Sequence, residues 1–157
     1  MPVQYRRMRK QETEQLASLF VRVFGRSLAS SSPDRIVLSF PTTVLDILND
    51  SEKYIVAVAE VGERLLGGIA VSPNLHVCLF FVDEVHQRAG IGRGLLAFAI
   101  EEAARTLPQQ SSLRVNAPPL AGDAFSALGF RMIAPPQGQG GNEFIPMELP
   151  LRSWTLP

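Results

Sequence analysis

The residues with the clearest chemical potential are Gln87 to Arg93, which read QRAGIGR. Gly90 and Gly92 allow tight backbone conformations and leave their N–H groups uncovered. Apolar residues then recur at helical spacing from Ile91 to Ala103, which predicts a helix whose unpaired first-turn N–H groups and positive dipole end face the glycine turn. Such a site fits a phosphate or pyrophosphate group, so this segment is a candidate for binding a phosphorylated ligand.

Two common phosphate-binding motifs do not match this segment. A P-loop requires a lysine and a hydroxyl residue after its second glycine, and Arg93 and Gly94 occupy those positions. The dinucleotide-binding fingerprint G-x-G-x-x-G has a different spacing from Gly90, Gly92 and Gly94, and it requires an acidic residue about 20 positions later, where this chain reads QQSS. Both of these nucleotide-binding motifs are therefore disfavoured.

The elements before the glycine turn are predicted to be three strands joined by short connections. Two strand-like segments, Tyr54–Ala59 and Leu65–Val71, flank a short turn at Gly62 and form a hairpin. The apolar segment Leu75–Val82 follows a second turn and is the third strand. An antiparallel meander is thus expected to lead into the glycine turn and its helix.

Periodicity predicts elements on both sides of this centre. The apolar spacing from Glu12 to Phe24 predicts an amphipathic helix that Gly25 ends. The serine-rich segment Arg26–Pro41 is predicted to be a loop or short helix that folds over a cleft or covers the core. The remaining predicted elements are an edge strand Val3–Met8, a helix beginning within Thr43–Leu48, a strand Leu113–Asn116, a helix Leu120–Leu128, and the strands Gly129–Ile133 and Phe144–Leu149.

Three segments together resemble the GNAT acetyltransferase superfamily. Gln87 to Gly92 match its signature Q/R-x-x-G-x-G/A, VNAPPLAGDAFSALGF resembles its VNAS-x-x-A-x-x-FY-x-x-LGF block, and GNEFIPMEL resembles its closing strand. The resemblance covers roughly Tyr54 to Leu149 and extends to the N-terminal third only in layout. It implies an α/β (α+β) GNAT fold, with a mixed, mostly antiparallel central sheet of about seven strands flanked by about four helices. One domain is expected over residues 1–157, with residues 149–157 as a C-terminal tail.

The resemblance also implies acetyl-CoA as acyl donor, no metal, and an amine as acceptor. The segment implied to hold the coenzyme A pyrophosphate consists of Gln87, Arg88, Ala89, Gly90, Ile91, Gly92 and Arg93. Backbone groups near Phe81 and Val82 are implied to pair with the pantetheine arm, where the family's fourth strand splays from its neighbour. Asn116 occupies a position where the family often uses an amide to bind the coenzyme or a water, although a residue at a strand end is equally suited to a turn.

A general base is needed because an amine with a pKa of ~10 is mostly protonated at neutral pH. In the best-known protein-acetylating branch, the base is a glutamate eleven residues before the signature glutamine, which corresponds to His76 here. An imidazole with an ordinary pKa of ~6.5 suits that role. The alternatives are that His76 is a hydrogen-bonded structural residue, and that Glu84 or Asp83 acts through a water, although both carboxylates are predicted to be solvated turn residues.

The family's usual general acid is a tyrosine, and Phe125 stands at that position. Phenylalanine cannot donate a proton, although its ring can pack against the pantetheine end. A thiolate with a pKa of ~8.5 is a fair leaving group even without an acid. Two functions remain: a slower or water-assisted N-acetyltransferase that works by direct attack, or a non-catalytic acyl-CoA-binding or interaction module. Neither Tyr5 nor Tyr54 is placed by the sequence to substitute for the missing acid.

Composition narrows the class of partners. The 157 residues include 15 basic and 15 acidic side chains, so a broad positive field for nucleic acid or anionic membranes is not expected. No signal peptide or membrane span is predicted, which favours a cytoplasmic protein. Cys78 is the single cysteine, predicted to be a buried, inert thiol, and it excludes an internal disulfide. The expected acceptor is a small-molecule or peptide amine, and Trp154 in the tail could contact a homodimer partner.

Overall fold

The computed structural model describes residues 2–31, 46–83, 90–107, 111–138 and 143–151, and for residues 24–31 it describes the backbone only. The strands are β1 (Gln4–Arg7), β2 (Ile55–Val61), β3 (Arg64–Val71), β4 (Val77–Val82), β5 (Ser112–Ala117), β6 (Arg131–Met132) and β7 (Ile145–Pro150). The helices are α1 (Thr13–Ser31), α2 (Ile91–Thr106) and α3 (Gly122–Ala127), with 3-10 turns at Lys10–Glu12 and Pro119–Ala121. Residues 46–49 are also helical.

The first four strands form one antiparallel sheet in the order β1-β2-β3-β4. Strands β2 and β3 are buried along almost their whole length, because helices cover both faces and their sequences are nearly continuous apolar runs. Gly62, with a φ of 62°, forms the tight turn between them. The predicted antiparallel meander is confirmed.

The remaining strands form a second antiparallel sheet in the order β5-β7-β6. Among the described residues, one parallel bridge, between His76 and Arg114, joins the two sheets, and the Arg114 amide donates to the Leu75 carbonyl at 2.8 Å. Among the described strands no ladder pairs β4 with β5 beyond this bridge, so a gap lies between them toward their C-terminal ends. The seven predicted strands are present, but they are divided between two sheets.

Two apolar clusters lie on the opposite faces of the first sheet. On one face, α2 packs Leu95, Leu96 and Ala99 onto the sheet and onto the buried side chains of β5 and β7. On the other face, α1 packs Leu16 and Phe20 against β4. Strand β4 thus lies between α1 and α2 at the edge of the first sheet, and the predicted residues His76, Phe81 and Val82 lie at its two ends.

Three predicted boundaries were wrong. Helix α1 does not end at Gly25 but continues to Ser31, so residues 26–31 extend this helix and do not begin a separate loop or short helix. A glycine inside a helix costs only about 1 kcal/mol, which did not end this one. Strand β4 begins at Val77 and not at Leu75, because Leu75 has a positive φ of 58°. Strand β7 ends at Pro150, one residue beyond the predicted end at Leu149.

A charge network attaches the start of the chain to β2. The Arg6 guanidinium contacts Glu12 at 2.7 Å and Glu60 at 2.9 Å, and both carboxylates are largely buried. Its hydrogen bonds lower the pKa of Glu12 and of Glu60 below the ordinary glutamate value of 4.5. The network therefore stabilises the folded chain above pH 4.5, and this stabilisation is lost as pH falls through the lowered pKa values of the folded state.

Arg6→Met is accordingly expected to lower the free energy of unfolding most strongly near neutral pH, where it leaves two carboxylates unpaired. The difference from the wild type should shrink on acidification, because protonated carboxyls no longer need the cation. Urea unfolding between pH 7 and pH 3 measures this. Lys10→Met is the matched control, since Lys10 contacts Glu52 at 3.8 Å with both side chains exposed. A pH-independent difference for Arg6→Met would contradict the assignment.

Candidate functional site

None of the described residues covers the N-terminal end of α2, which is therefore called its open end. Gly90 caps the helix with a left-handed φ of 82°, and none of those residues forms a side-chain capping hydrogen bond there. The first bond within the helix runs from the Gly94 amide to the Gly90 carbonyl at 3.1 Å, so the amides of residues 91–93 precede it. A Cβ at Gly90 would have no atom of the described residues within 4 Å. Within that part of the chain, the first-turn N–H groups of the helix are left uncovered. Gln87, Arg88, Ala89 and Glu84 lie outside the described residues.

The neighbouring residues connect this end to β4 and α3. A Cβ at Gly92 would lie 3.7 Å from the Phe80 ring, an ordinary contact. The Arg93 guanidinium donates to the Ala127 carbonyl at 3.3 Å, at the C-terminal end of α3. Arg93 therefore ties the two helices together in this structure, and its predicted contact with pyrophosphate remains a prediction.

Phe125 lies in a row of three rings. Its ring centroid is 5.8 Å from that of Phe80 and 5.3 Å from that of Phe130, with edge-to-face geometry in both pairs. Helix α3 ends in a Schellman motif, in which Phe130 donates to the Phe125 carbonyl and Gly129, with a φ of 108°, donates to Ser126. The LGF sequence is therefore required by the helix end. The side chain at position 125 packs beside β4 and carries no hydroxyl.

Gly94 lies against the aromatic ring of Tyr5. A Cβ built at Gly94 would lie within 3 Å of three ring or hydroxyl atoms of Tyr5. Tyr5 is partly buried in the core beside α2, and burial raises the pKa of its hydroxyl. The third glycine of GIGRG thus provides space for strand β1 and is not part of a phosphate-binding pattern.

Gly94→Ala is expected to lower the free energy of unfolding by about 1–3 kcal/mol through steric conflict, partly offset by the better helix propensity of alanine. Tyr5→Leu in the same chain should recover most of the loss, because the conflicting ring atoms are removed. Chemical denaturation of the two single variants and the double variant measures the coupling. Additive effects in this cycle would show that the Tyr5 contact does not explain the glycine.

The backbone of His76 is held by a tight turn. The Ser72 amide donates to the His76 carbonyl at 2.9 Å, and the His76 amide donates to the Ser72 hydroxyl at 3.1 Å. Between them, Leu75 has a left-handed φ of 58°, which is costly for a bulky residue, yet its side chain is completely buried in the core. Core packing at Leu75 therefore compensates for a strained turn that positions the next residue.

The His76 side chain faces an open cavity of about 430 Å³ on the face of the second sheet opposite α2. Arg114, Asn116, Gln137, Phe144 and Met147 also line this cavity. The structure thus brings the predicted residues His76 and Asn116 into one cavity. Burial, and to a lesser extent the positive charge of Arg114, lowers the pKa of His76 below its ordinary value of 6.5. The imidazole is therefore neutral at pH 7 and able to accept a proton.

Cys78 lies two residues along the same strand. Its thiol donates to the His76 carbonyl at 3.3 Å, and the side chain is partly rather than fully buried. Burial raises the pKa of this thiol, which keeps it protonated at neutral pH. These facts are consistent with an unreactive cysteine.

Phe81 and Val82 form the end of β4 beside the gap. Phe81 is buried, and its ring packs edge-to-face on Phe20 with a centroid distance of 5.4 Å. Gly67 pairs with Val82, and a Cβ at Gly67 would lie 2.4 Å from the Phe81 carbonyl oxygen. The missing side chain of Gly67 therefore permits the observed path of the β4 backbone at the predicted pantetheine-binding position.

The prediction of Asp83 as a solvated turn residue was wrong. Asp83 is only 1% exposed, and its carboxylate contacts Arg22 at 3.0 Å and Arg64 at 3.9 Å. A buried carboxylate requires such partners to offset its desolvation. Asp83 thereby connects the end of β4 to α1, a contact between residues 61 positions apart that no local pattern indicates.

The described residues contain no group of three or more His, Cys, Asp or Glu side chains arranged to hold a metal ion. Within the same part of the chain, no helix combines the length and apolar character needed to cross a membrane.

Known proteins identify the family to which this arrangement belongs. The sequence profile described as Acetyltransferase (GNAT) domain matches residues 41–151, so the chain belongs to the GNAT acetyltransferases. The family resemblance and the α/β GNAT fold predicted from the sequence are thereby confirmed. No curated protein sequence matches the chain significantly.

Solved structures support the same fold. The PaiA N-acetyltransferase from Thermoplasma acidophilum in complex with coenzyme A is similar with a TM-score of 0.75 and 16% identity, covering 96% of this chain and 99% of that chain. YncA from Salmonella typhimurium, a putative acetyltransferase with its cofactor acetyl-CoA, has a TM-score of 0.70 and 19% identity, covering 100% and 98%. The Escherichia coli ribosomal-protein-S18-alanine N-acetyltransferase has a TM-score of 0.69 and 18% identity, covering 96% and 94%.

Proposed function

We propose that this protein is an N-acetyltransferase that moves the acetyl group of acetyl-CoA to an amine by direct attack. The observation that carries the proposal is the geometry around β4. The open end of α2 lies beyond the C-terminal end of β4, and the gap between β4 and β5 runs alongside β4. At the start of β4, the neutral His76 side chain faces a cavity. In the same order, these parts could serve as a binding site for the coenzyme's pyrophosphate, a channel for its pantetheine arm and a proton acceptor.

The residues of α2 fit the coenzyme's pyrophosphate. The first-turn amides and the positive dipole end suit a diphosphate, as does the lack of any described atom near a Cβ at Gly90. Gln87, Arg88 and Ala89 are proposed to complete this site with Ile91, Gly92 and Arg93. Backbone groups of Phe81 and Val82 are proposed to pair with the pantetheine arm and polarise the thioester carbonyl. Two of the similar proteins contain coenzyme A or acetyl-CoA, which supports this assignment.

The proposed proton acceptor is His76, either directly or through a water held by Asn116, because both side chains line the same cavity. The neutral imidazole takes a proton from the acceptor's ammonium group, and the resulting amine attacks the thioester carbonyl. The coenzyme leaves as a thiolate or takes its proton from water, since the Phe125 ring has none to give. Glu84 remains the alternative base through a water. The chain is proposed to act in the cytoplasm.

The phenylalanine at position 125, where the family usually has a tyrosine as general acid, favours a second candidate function. A non-catalytic acyl-CoA-binding module would also retain the open end of α2 while lacking the family's usual acid. Calorimetric titration with acetyl-CoA, followed by thiol release in the presence of a panel of amines, separates the two. Binding with amine-dependent thiol release supports the enzyme, whereas binding with no release for any amine supports the module. Absence of acetyl-CoA binding would overturn both.

A further inference from the structure

The cavity at His76 contains an arginine whose charge is not compensated by the described residues. Arg114 is exposed on the same face of β5 as Asn116, and it forms no ion pair with any carboxylate that the structure describes. Glu148 lies opposite Arg114 in the β5–β7 ladder, but its carboxylate contacts Arg131 at 2.7 Å. The cavity therefore has a positive charge available for a ligand.

The described residues that form the walls of the cavity add no negative charge. Apart from His76 and Arg114, the lining consists of neutral amides and apolar side chains, including Ile133, Phe144 and Pro146. A polyamine or a basic peptide side chain would bring a further positive charge next to Arg114 and find no carboxylate there. An acceptor with an anionic group would instead form a charge-assisted hydrogen bond, which the planar guanidinium is suited to make with a carboxylate.

Arg114 and His76 are also close enough to act on one small molecule. They are partners in the parallel bridge that joins the two sheets, and neighbouring strands lie about 4.8 Å apart. We propose that the acceptor is a small amine that also carries a carboxylate and has an apolar body, as in an apolar amino acid, with the carboxylate on Arg114 and the amine facing His76. This inference rests on the proposed acetyl transfer and specifies its acceptor.

A carboxylate on Arg114 has a second consequence. The charged group near His76 in the described structure is the Arg114 guanidinium from β5, and the titratable Cys78 thiol two residues along the chain stays protonated and neutral. Neutralising the charge of Arg114 raises the pKa of His76, because the guanidinium disfavours a protonated imidazole. Binding of an acceptor that carries a carboxylate would therefore raise the basicity of His76 in the complex, where the proton is transferred.

The test compares L-leucine, L-methionine and L-phenylalanine with their carboxamides, which have nearly the same shape but no negative charge. Wild-type kcat/KM is expected to be about 10- to 100-fold higher for the acids, the effect of one charge-assisted interaction. Arg114→Gln should remove this preference mainly through KM, Arg114→Lys should retain part of it, and Lys53→Gln, a change of charge at an exposed turn, should leave it intact. Equal rates for acids and amides in the wild type would overturn the proposal while leaving acetyl transfer established.

A binding measurement keeps the inference testable if no turnover is found. NMR titration of the His76 ring should show a higher pKa in the presence of L-leucine than with L-leucinamide, and a higher pKa in Arg114→Gln than in the free wild type. If the acid binds in this way but no amine is acetylated, the carboxylate site stands and the proposed enzyme activity fails. If L-leucine, L-methionine and L-phenylalanine neither bind nor shift His76, the assignment of the acceptor class is wrong.

Discussion

Replacement of His76 by glutamine is expected to lower kcat for acetyl transfer by about 10²- to 10⁴-fold, the usual contribution of a general base. Glutamine retains polarity and approximate size, but its amide cannot take a proton from an ammonium group near neutral pH. Acetyl-CoA affinity should change little, because the proposed pyrophosphate site lies at the other end of β4. Steady-state kinetics together with calorimetric titration of acetyl-CoA measure both quantities.

The pH dependence adds a signature that a structural role would not produce. Burial and the charge of Arg114 lower the pKa of His76 in the free enzyme from its ordinary value of 6.5, so wild-type kcat/KM should rise with pH, reach half its maximum below pH 6.5 and then level off. The rise should be absent in the residual activity of the glutamine variant. Cys78→Ser, on the same strand, is the matched control and should keep the wild-type profile. An unchanged kcat in His76→Gln would falsify the role of base and direct attention to Glu84.

Gly67→Ala is the second change with a large expected effect, on stability and on acetyl-CoA binding together. Its Cβ would meet the Phe81 carbonyl oxygen at 2.4 Å and the Val82 Cα at 3.0 Å, and these backbone atoms cannot move without displacing β4. We expect a loss of about 1–3 kcal/mol in the free energy of unfolding. Acetyl-CoA affinity should fall about 3- to 10-fold, because the displaced groups are those proposed to hydrogen-bond the pantetheine arm.

Gly68→Ala is the matched control for this change, since it makes the same substitution one residue along the same strand. Its Cβ would lie 3.1 Å and 3.2 Å from the methyl groups of Leu16 and 3.3 Å from the Ala57 carbonyl oxygen, so these neighbours need to move by only a few tenths of an ångström. A smaller loss of stability and unchanged acetyl-CoA affinity are expected. Denaturant unfolding measures the free energy of unfolding of both variants, and calorimetry measures their acetyl-CoA affinity. An equal loss of affinity in both would mean that β4 is not positioned by Gly67.

The fold was predictable to the extent that it depends on local pattern. Apolar runs bounded by turn residues predicted the meander, because strands buried on both faces leave that pattern. The LGF sequence was quoted for its family resemblance, and the structure gives its physical reason in the Schellman motif at Gly129. The end of α1 was not predictable from Gly25, because the cost of one glycine is small compared with the packing of a long amphipathic helix.

Candidates for the site came from the sequence only where residues are adjacent in the chain or quoted by a family motif. Gly90 to Arg93 and Phe125 were proposed in this way, and Asn116 and His76 were proposed by position relative to the same motifs. Asp83 was misjudged, since its burial depends on Arg22 and Arg64, and neither is near in sequence. No sequence pattern pointed to Arg114. Its proposed role in binding the acceptor depends on the bridge to His76 and on the ion pair of Glu148 with Arg131, and both are contacts between distant segments.

The sequence by itself determined the family and the glycine turn that begins α2, because a family signature and helical periodicity are local properties of consecutive residues. The tertiary structure alone decided that the seven strands divide into two sheets, that a strained turn presents His76 to a cavity, and that Arg114 faces the same cavity. These features depend on contacts between distant segments, whose charges and packing cannot be read from spacing along the chain.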